Sequence, residues 1–307
     1  MHKVIIGCRR LRYKCRMPQG IERSNLEKVF WPESGITKGD LLAYFEAVAP
    51  AILPAVKDRP LTVKRYPDGI GGFSFYQKDA PKYAPDWVKT ATYPAESAKR
   101  DVRYILCNSR QTLLWLANQA SIELHPWLSR VDRIERPDFL VLDVDPPEND
   151  FDRAVQVALA VKEVLDEMGL RSVSKTSGAK GVHVYVPLQR RYPYSRVRRA
   201  AEEVAARAEE LVPDLATTAF QIAKRGGRVY LDAGRVAPGA HVVAPYSPRA
   251  RPAASVSFPV EWNEIERIRP EDFTIKTVPG IMERQGDRWR SLSPDPQALP
   301  HKLGRES

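Results

Sequence analysis

The chain reads as an α+β fold with mixed or antiparallel sheets flanked by helices. Two observations carry this. Short apolar strands are interleaved with amphipathic helices along the sequence. Several successive strands are joined by hairpin-like turns, whereas a parallel pair needs a crossover of a dozen residues or more.

The elements follow in order. The first 20 residues are basic and irregular and predict no regular element. Thr37 is placed to cap a helix through Leu41, Leu42, Phe45 and Val48, ending near Pro50. Leu61–Pro67 has strand character, with Leu61, Val63 and Arg65 on one face and Thr62, Lys64 and Tyr66 on the other. Phe73–Lys78 is a second short strand. Gln111–Leu124 has helical spacing, with Leu113, Leu116, Ala117 and Ala120 inward. FLVLDVD (Phe139–Asp145) is a strand. Asn149 or Asp150 then caps a helix striped by Val157, Val161, Val164, Leu165 and Met168, and Gly169 ends it. Ser172–Thr176 is a strand, SGAKG a turn, and Val182–Leu188 a strand with His183 and Tyr185 opposite its valines. Ser195 caps a helix to Leu211, stopped by Pro213. Gly227–Asp232 and His241–Ser247 are strands, Pro248–Pro259 is extended, and the polar tail after Pro294 is expected to fray.

The 307 residues suffice for a substantial core. No run of 18 apolar residues suggests a membrane span, and the N-terminal residues do not read as an export signal. Cys8, Cys15 and Cys107 form neither a disulfide framework nor a zinc pattern. A reducing, cytoplasmic and nucleoid-associated setting is expected. The net charge of +10 favours a polyanionic partner.

Asp143 and Asp145 stand two apart on a strand, so both carboxylates leave the same face. Such neighbours repel unless a cation lies between them, and hard divalent ions prefer oxygen. Asp232 ends another apolar strand, and three strand-end acids suit a pair of metal ions. In KTSGAKGVHVYVPL, Ser177, Lys180 and His183 surround a glycine turn. A hydroxyl, an ammonium, an imidazole and backbone N–H groups together suit a triphosphate.

DVDPP, KTSGAKGVHVYVPL, KRGGRVYLD and VVAPYSPRARP, in this order, resemble the polymerase domain of bacterial ATP-dependent DNA ligase D. That family belongs to the archaeo-eukaryotic primase superfamily and serves non-homologous end joining. KRYPDGI, FYQKDAP and IELHPWLSRVDR match as well, so the likeness runs from about Asn25 to about Arg288. It implies a primase-like catalytic core over residues 21–294, between the irregular N-terminal segment 1–20 and the tail 295–307. It implies template-directed nucleotidyl transfer with Mn²⁺ or Mg²⁺, two ions, held by Asp143, Asp145 and Asp232. Ser177, Lys180 and His183 match the triphosphate motif. Lys64 and His125 match residues near the incoming nucleotide, and Arg225 and Arg249 match basic residues of the cleft. Asn25, Lys28 and Lys38 match a 5′-phosphate pocket, and Phe75 and Tyr76 an aromatic pair that stacks on template bases. The implied substrates are NTPs, ahead of dNTPs, and DNA with 5′-phosphorylated gaps or double-strand-break ends. Ku and a DNA ligase are the implied partners.

After the third acid the family usually continues with an aromatic residue and a polar Gln/Asn pair; here Ala233-Gly234-Arg235 stands instead. No ligase or nuclease motif is visible, so either a stand-alone protein or an excised domain is expected. A two-metal nuclease would leave the triphosphate turn without a role. A non-catalytic end-binding module would leave the three acids without one.

Overall fold

The computed structural model describes residues 22–95, 99–148 and 150–305. The basic N-terminal segment with Cys8 and Cys15, and Asn149 as an alternative cap, lie outside the described residues.

A small antiparallel pair, β1 (Val29–Trp31) and β2 (Ile36–Thr37), leads into α1 (Lys38–Val56). Thr37 and Asp40 form a reciprocal capping box at its start. α1 does not end near Pro50. It runs through Pro50 and Pro54, because Ile52 and Val56 continue its buried stripe. That burial offsets the roughly 3 kcal/mol a helical proline costs. α1 is long and apolar enough to cross a bilayer by length and composition. Here Leu41, Phe45, Val48 and Ile52 are core residues, and the helix packs on α2 (Arg110–Asn118).

The first sheet joins β3 (Pro60–Arg65), β4 (Phe75–Gln77), β5 (Thr90–Ala95), β6 (Arg100–Leu106) and β7 (Ser121–Pro126), all antiparallel. Two parts of it differ from the sequence reading. The helix expected over Gln111–Leu124 stops at Asn118; Ala120 takes a positive φ of 61°, and the chain returns as β7 against β3. The β5–β6 hairpin has no strong apolar alternation to mark it in the sequence.

The second sheet has the order β11 (Ala216–Thr217), β12 (Val229–Asp232), β8 (Phe139–Asp145), β10 (Val182–Pro187), β9 (Val173–Thr176) and β13 (Pro259–Val260). Only β11 and β12 run parallel. Leu140, Leu142, Val144, Val182, Val184 and Val186 line one face and are fully buried. α3 (Phe151–Glu167), capped by Asp150, and α4 (Tyr194–Leu211) cover the sheet. α4 starts one residue before Ser195, with Pro193 at its cap position and no side-chain cap bond.

His241–Ser247 is not a strand. It docks along β7 by an isolated bridge from His241 to Trp127 and a bond from Ala244 N to Leu124 O. Pro248–Pro259 is not extended throughout: it turns back at Arg251–Ala254, so that Pro248 bridges Val256 and Ser255 bridges Thr274. Two short helices follow, α5 (Val278–Gln285) and α6 (Arg288–Leu292). The tail does not fray: Gln297 bridges Leu188, and Leu299 and Leu303 are buried in the core.

The SGAKG turn is tied to β8 by contact distance. A Cβ built on Gly181 would sit 2.3 Å from Val144 O. Gly181→Ala is therefore expected to cost about 1–3 kcal/mol, as overpacking does. Chemical denaturation of the two proteins checks this, and an unchanged midpoint would contradict it.

Candidate active site

The faces of the two sheets not covered by helices line a common cleft. In the second sheet the register sets four side chains in one row across four strands. Asp232 lies opposite Asp143, Asp143 opposite His183, and His183 opposite Lys175. Tyr230 lies opposite Asp145. Directly paired residues project from the same face, so the row is continuous.

Asp143 is the centre. Its Oδ1 is 3.2 Å from His183 Nε2 and its Oδ2 3.2 Å from Arg235 Nε. Burial alone would raise its pKa, but the His183 N–H and the Arg235 guanidinium, with Lys175 behind, hold it well below the carboxylate range. Arg235 Nε also reaches Asp232 Oδ2 at 3.1 Å, so one guanidinium spans two of the acids. Asp232 accepts from Gly234 N, yet burial and the charge of Asp143 leave its pKa raised. Asp145 sits 3.2 Å from Lys180 Nζ, which also donates to Pro146 O at 2.7 Å.

The Ser177 hydroxyl mainly folds its own turn, accepting from Ala179 N and Gly181 N. Two of the turn's N–H groups are thus satisfied internally rather than presented to a ligand. Ser177 O accepts from Arg249 Nη1 at 2.8 Å, and Arg249 Nε lies 3.3 Å from Glu123 Oε2. Arg249 therefore ties the two sheets together across the cleft.

The facing sheet contributes Lys64, flanked in register by Glu123 and Tyr76. Its ammonium stands 5.3 Å over both the Tyr66 and Tyr76 rings. Glu123, buried, accepts from Tyr66 OH and Ala250 N and stands 3.1 Å from His125 Nε2. Burial opposes its ionisation, but His125 and Arg249 outweigh that and bring its pKa to about 2. His125 is lowered by burial, and His241, 5.2 Å from it ring to ring, is pushed down to about 3 mainly by burial.

Phe75 and Tyr76 project from opposite faces of β4, so they do not form one platform. Tyr76 faces the cleft beside His125. Phe75 turns to the far side, where it stacks on the exposed Phe73 at 5.8 Å and lies under Arg65. Arg225 is also apart from the nucleotide-type residues. It donates to Ala219 O and Phe220 O and lies 3.7 Å over the Tyr230 ring, flanking the acids.

Asn25, Lys28 and Lys38 do converge, on a separate pocket of about 180 Å³ that also takes in Ser24, Arg65 and Gln119. Lys38 donates to Ser24 O and Ser24 Oγ. Burial first, then the charges of Lys28 and Arg65, lowers its pKa to about 8. Lys28 is paired with Asp68 at 2.6 Å. The first helix N–H groups are not free here: Lys38 N, Gly39 N and Asp40 N bond to Lys28 O, Leu26 O and Thr37 Oγ1. Any anion in this pocket is held by side chains.

Sequence reasoning did not assign Lys175, Glu123, Arg65 or Arg235 a role. Glu123 and His125 alternate with Ile122 and Leu124 as a strand should, but the helical reading of that stretch hid the pattern. Lys175 and Arg235 become visible only through cross-strand register and turn geometry. A cavity of about 510 Å³ lies at the other end of β8 and β10, around Trp127, Phe139, Tyr185 and Trp289, away from the carboxylates.

A family model described as LigD, primase-polymerase domain, matches residues 37–289. The chain belongs to this family. The LigD bifunctional non-homologous end joining protein of Bacillus subtilis (strain 168) is 34% identical over 295 residues, covering 94% of this chain and 47% of that protein. The multifunctional LigD of Mycolicibacterium smegmatis is 30% identical, over 91% of this chain and 38% of that protein. The chain thus spans less than half the length of these LigD relatives. Among solved structures, the polymerase domain of Mycobacterium tuberculosis Ligase D in complex with DNA matches with a TM-score of 0.83 and 30% identity, covering 91% of this chain and all of that one. LigD polymerase domains are nucleotidyltransferase-type enzymes that depend on divalent metal.

Proposed function

We propose that this chain adds nucleotides to a DNA 3′ end under template direction, filling gaps and broken ends in non-homologous end joining. The observation that carries the reading is the cleft row. Asp232, Asp143 and His183 are directly opposed, with Asp145 on the same face and Lys180 on the adjoining turn. The LigD family membership supports the same chemistry.

The donor set fits hard divalent ions. Asp143, Asp145 and Asp232 offer only carboxylate oxygen from one sheet face. Among the described residues these acids do not form a closed cage, and Arg235 lies between two of them. Mn²⁺ or Mg²⁺, two ions, would be held by these three acids. When bound, they supply positive charge that lowers the pKa of a 3′-hydroxyl and offsets charge on the reacting phosphate.

The chain's own residues orient the nucleotide. Lys180 and Arg249 bring cationic donors to the SGAKG turn, where a triphosphate would lie. His183, neutral because burial and then Lys175 push it down to about 4, presents an imidazole N–H rather than a second cation. Lys64, Tyr76 and His125 form the opposite wall, where a base or sugar would rest. No side-chain nucleophile is needed. Preference for ribonucleotides, and partnership with Ku and a ligase, extend the same reading.

The test is extension of a gapped, 5′-phosphorylated duplex with NTPs or dNTPs. Addition should vanish in chelator and return with Mn²⁺. Asp143→Asn should lower it by about a hundredfold or more while binding of the duplex persists. Near-normal extension by that variant would remove the acids from the chemistry.

The Lys28–Lys38–Arg65 pocket is the proposed 5′-phosphate site. Lys38 is charged below about pH 8 and neutral above it, so it attracts a terminal phosphate only on the acid side of that value. The advantage of a 5′-phosphate over a 5′-hydroxyl should therefore shrink as pH rises from 7 to 9. In Lys38→Arg it should stay flat, because arginine does not titrate there. Anisotropy titrations at fixed ionic strength measure this. A phosphate advantage independent of pH in the wild type would exclude Lys38 as the sensor.

A further inference from the structure

Lys175 is fully buried on β9, yet it has no role in the reading above. Its Nζ lies 2.7 Å from His183 Nδ1 and 2.6 Å from Ser257 Oγ. Ser257 Oγ in turn donates to Thr176 O at 2.8 Å, so its proton is committed and it accepts from Lys175. The Tyr185 ring lies 5.6 Å from the ammonium and closes the chamber. A lysine this enclosed is costly unless it is paired, and its one close titratable partner by hydrogen bond is a histidine.

The hydrogen bonds fix the imidazole. His183 Nε2 faces Asp143 Oδ1 at 3.2 Å, and an ionised carboxylate only accepts, so Nε2 must carry a proton. Nδ1 faces Lys175 Nζ. Burial and then the Arg249 charge push the Lys175 ammonium well below its ordinary range, but Nζ carries N–H groups in either protonation state, whereas the neutral ring has its one proton on Nε2. Nδ1 is then a bare acceptor and Lys175 the donor.

We propose that Lys175 is a positioning residue for nucleotide addition: by donating to Nδ1 it locks His183 as the Nε2–H tautomer, with the N–H aimed along the Asp143 side of the cleft. The proposal rests on the polymerase reading for its consequence, though not for its geometry. Without Lys175 the ring is free to adopt the Nδ1–H tautomer. It would then present a lone pair to Asp143 and to a triphosphate, both of which repel it. A ring in that state binds an anion less well at the same position. Lys175 therefore touches neither metal nor nucleotide and acts through one imidazole.

The test has two parts. The chain has five histidines, so long-range ¹H–¹⁵N spectra of ¹⁵N-histidine protein can be assigned by comparison with His183→Ala. The wild type at pH 7, free of metal and nucleotide, should show His183 as the neutral Nε2–H tautomer. Lys175→Met, nearly isosteric, should shift it toward Nδ1–H or a mixture. If Lys175→Met does not fold, Lys175→Gln serves, and the wild-type spectrum alone already decides the first point. An Nδ1–H tautomer in the wild type, or an unchanged tautomer in the folded variant, would overturn the proposal.

The second part is kinetic. Lys175→Met should lower kcat/KM for the incoming nucleotide by about 10–100-fold, the usual scale for a residue that orients a ligand-binding histidine. In a His183→Ala background the same change should have less than about a twofold effect, since the interaction it removes is already absent. Equal effects in both backgrounds would mean that Lys175 acts structurally and not through His183. A wild-type protein with the expected tautomer but no nucleotide addition would instead count against the polymerase reading alone.

Discussion

Antiparallel register is the constraint on which the cleft depends. β12, β8, β10 and β9 are paired so that Asp232, Asp143, His183 and Lys175 fall in one row. Reading across the sheet, the row goes from two acids through a neutral ring to a buried lysine. A slip of one residue in any strand would turn its member into the helix-packed face. The valines and leucines between these residues forbid such a slip, because Val144, Val184 and their neighbours are fully buried against the helices. The hydrophobic pattern that makes the sheet thus also sets the spacing of the charges.

Two strategies handle charge in this cleft. Asp143 and Glu123 are buried acids kept ionised by specific cationic and hydrogen-bonding neighbours. His183, His125 and His241 are buried bases kept neutral by desolvation. The result is a site with fixed negative points on both sheets and neutral rings beside them, with cationic side chains at the SGAKG turn. Arg235 belongs to this balance. It spans Asp143 and Asp232, so the Ala233-Gly234-Arg235 stretch after the third acid places a cation between them.

Much of this was legible in the sequence, where the information is local. The i, i+2 spacing of Asp143 and Asp145, the glycine turn, the Thr37 cap and the face pattern of Leu61–Tyr66 are all short-range features, and the structure has each of them. The failures have physical causes. Ala120 turns the chain in a left-handed conformation inside a stretch with helical spacing, so β7, Glu123 and the strand face of His125 were hidden. Pro50 and Pro54 are overridden by tertiary burial of α1. The tail is held by two leucines spaced too far apart to signal an element. Phe75 and Tyr76 stand on opposite faces of β4, and only Tyr76 lies beside His125. Lys175 stood in the quoted motif, but only register could reveal its partner.

The most direct measurement is anomalous scattering from crystals soaked with Mn²⁺ and a nucleoside triphosphate. Manganese is expected at the carboxylates of Asp143, Asp145 and Asp232, with Arg235 turned away from Asp143 and the triphosphate along the SGAKG turn. Manganese bound elsewhere, with Arg235 still spanning Asp143 and Asp232, would contradict a metal site at these acids.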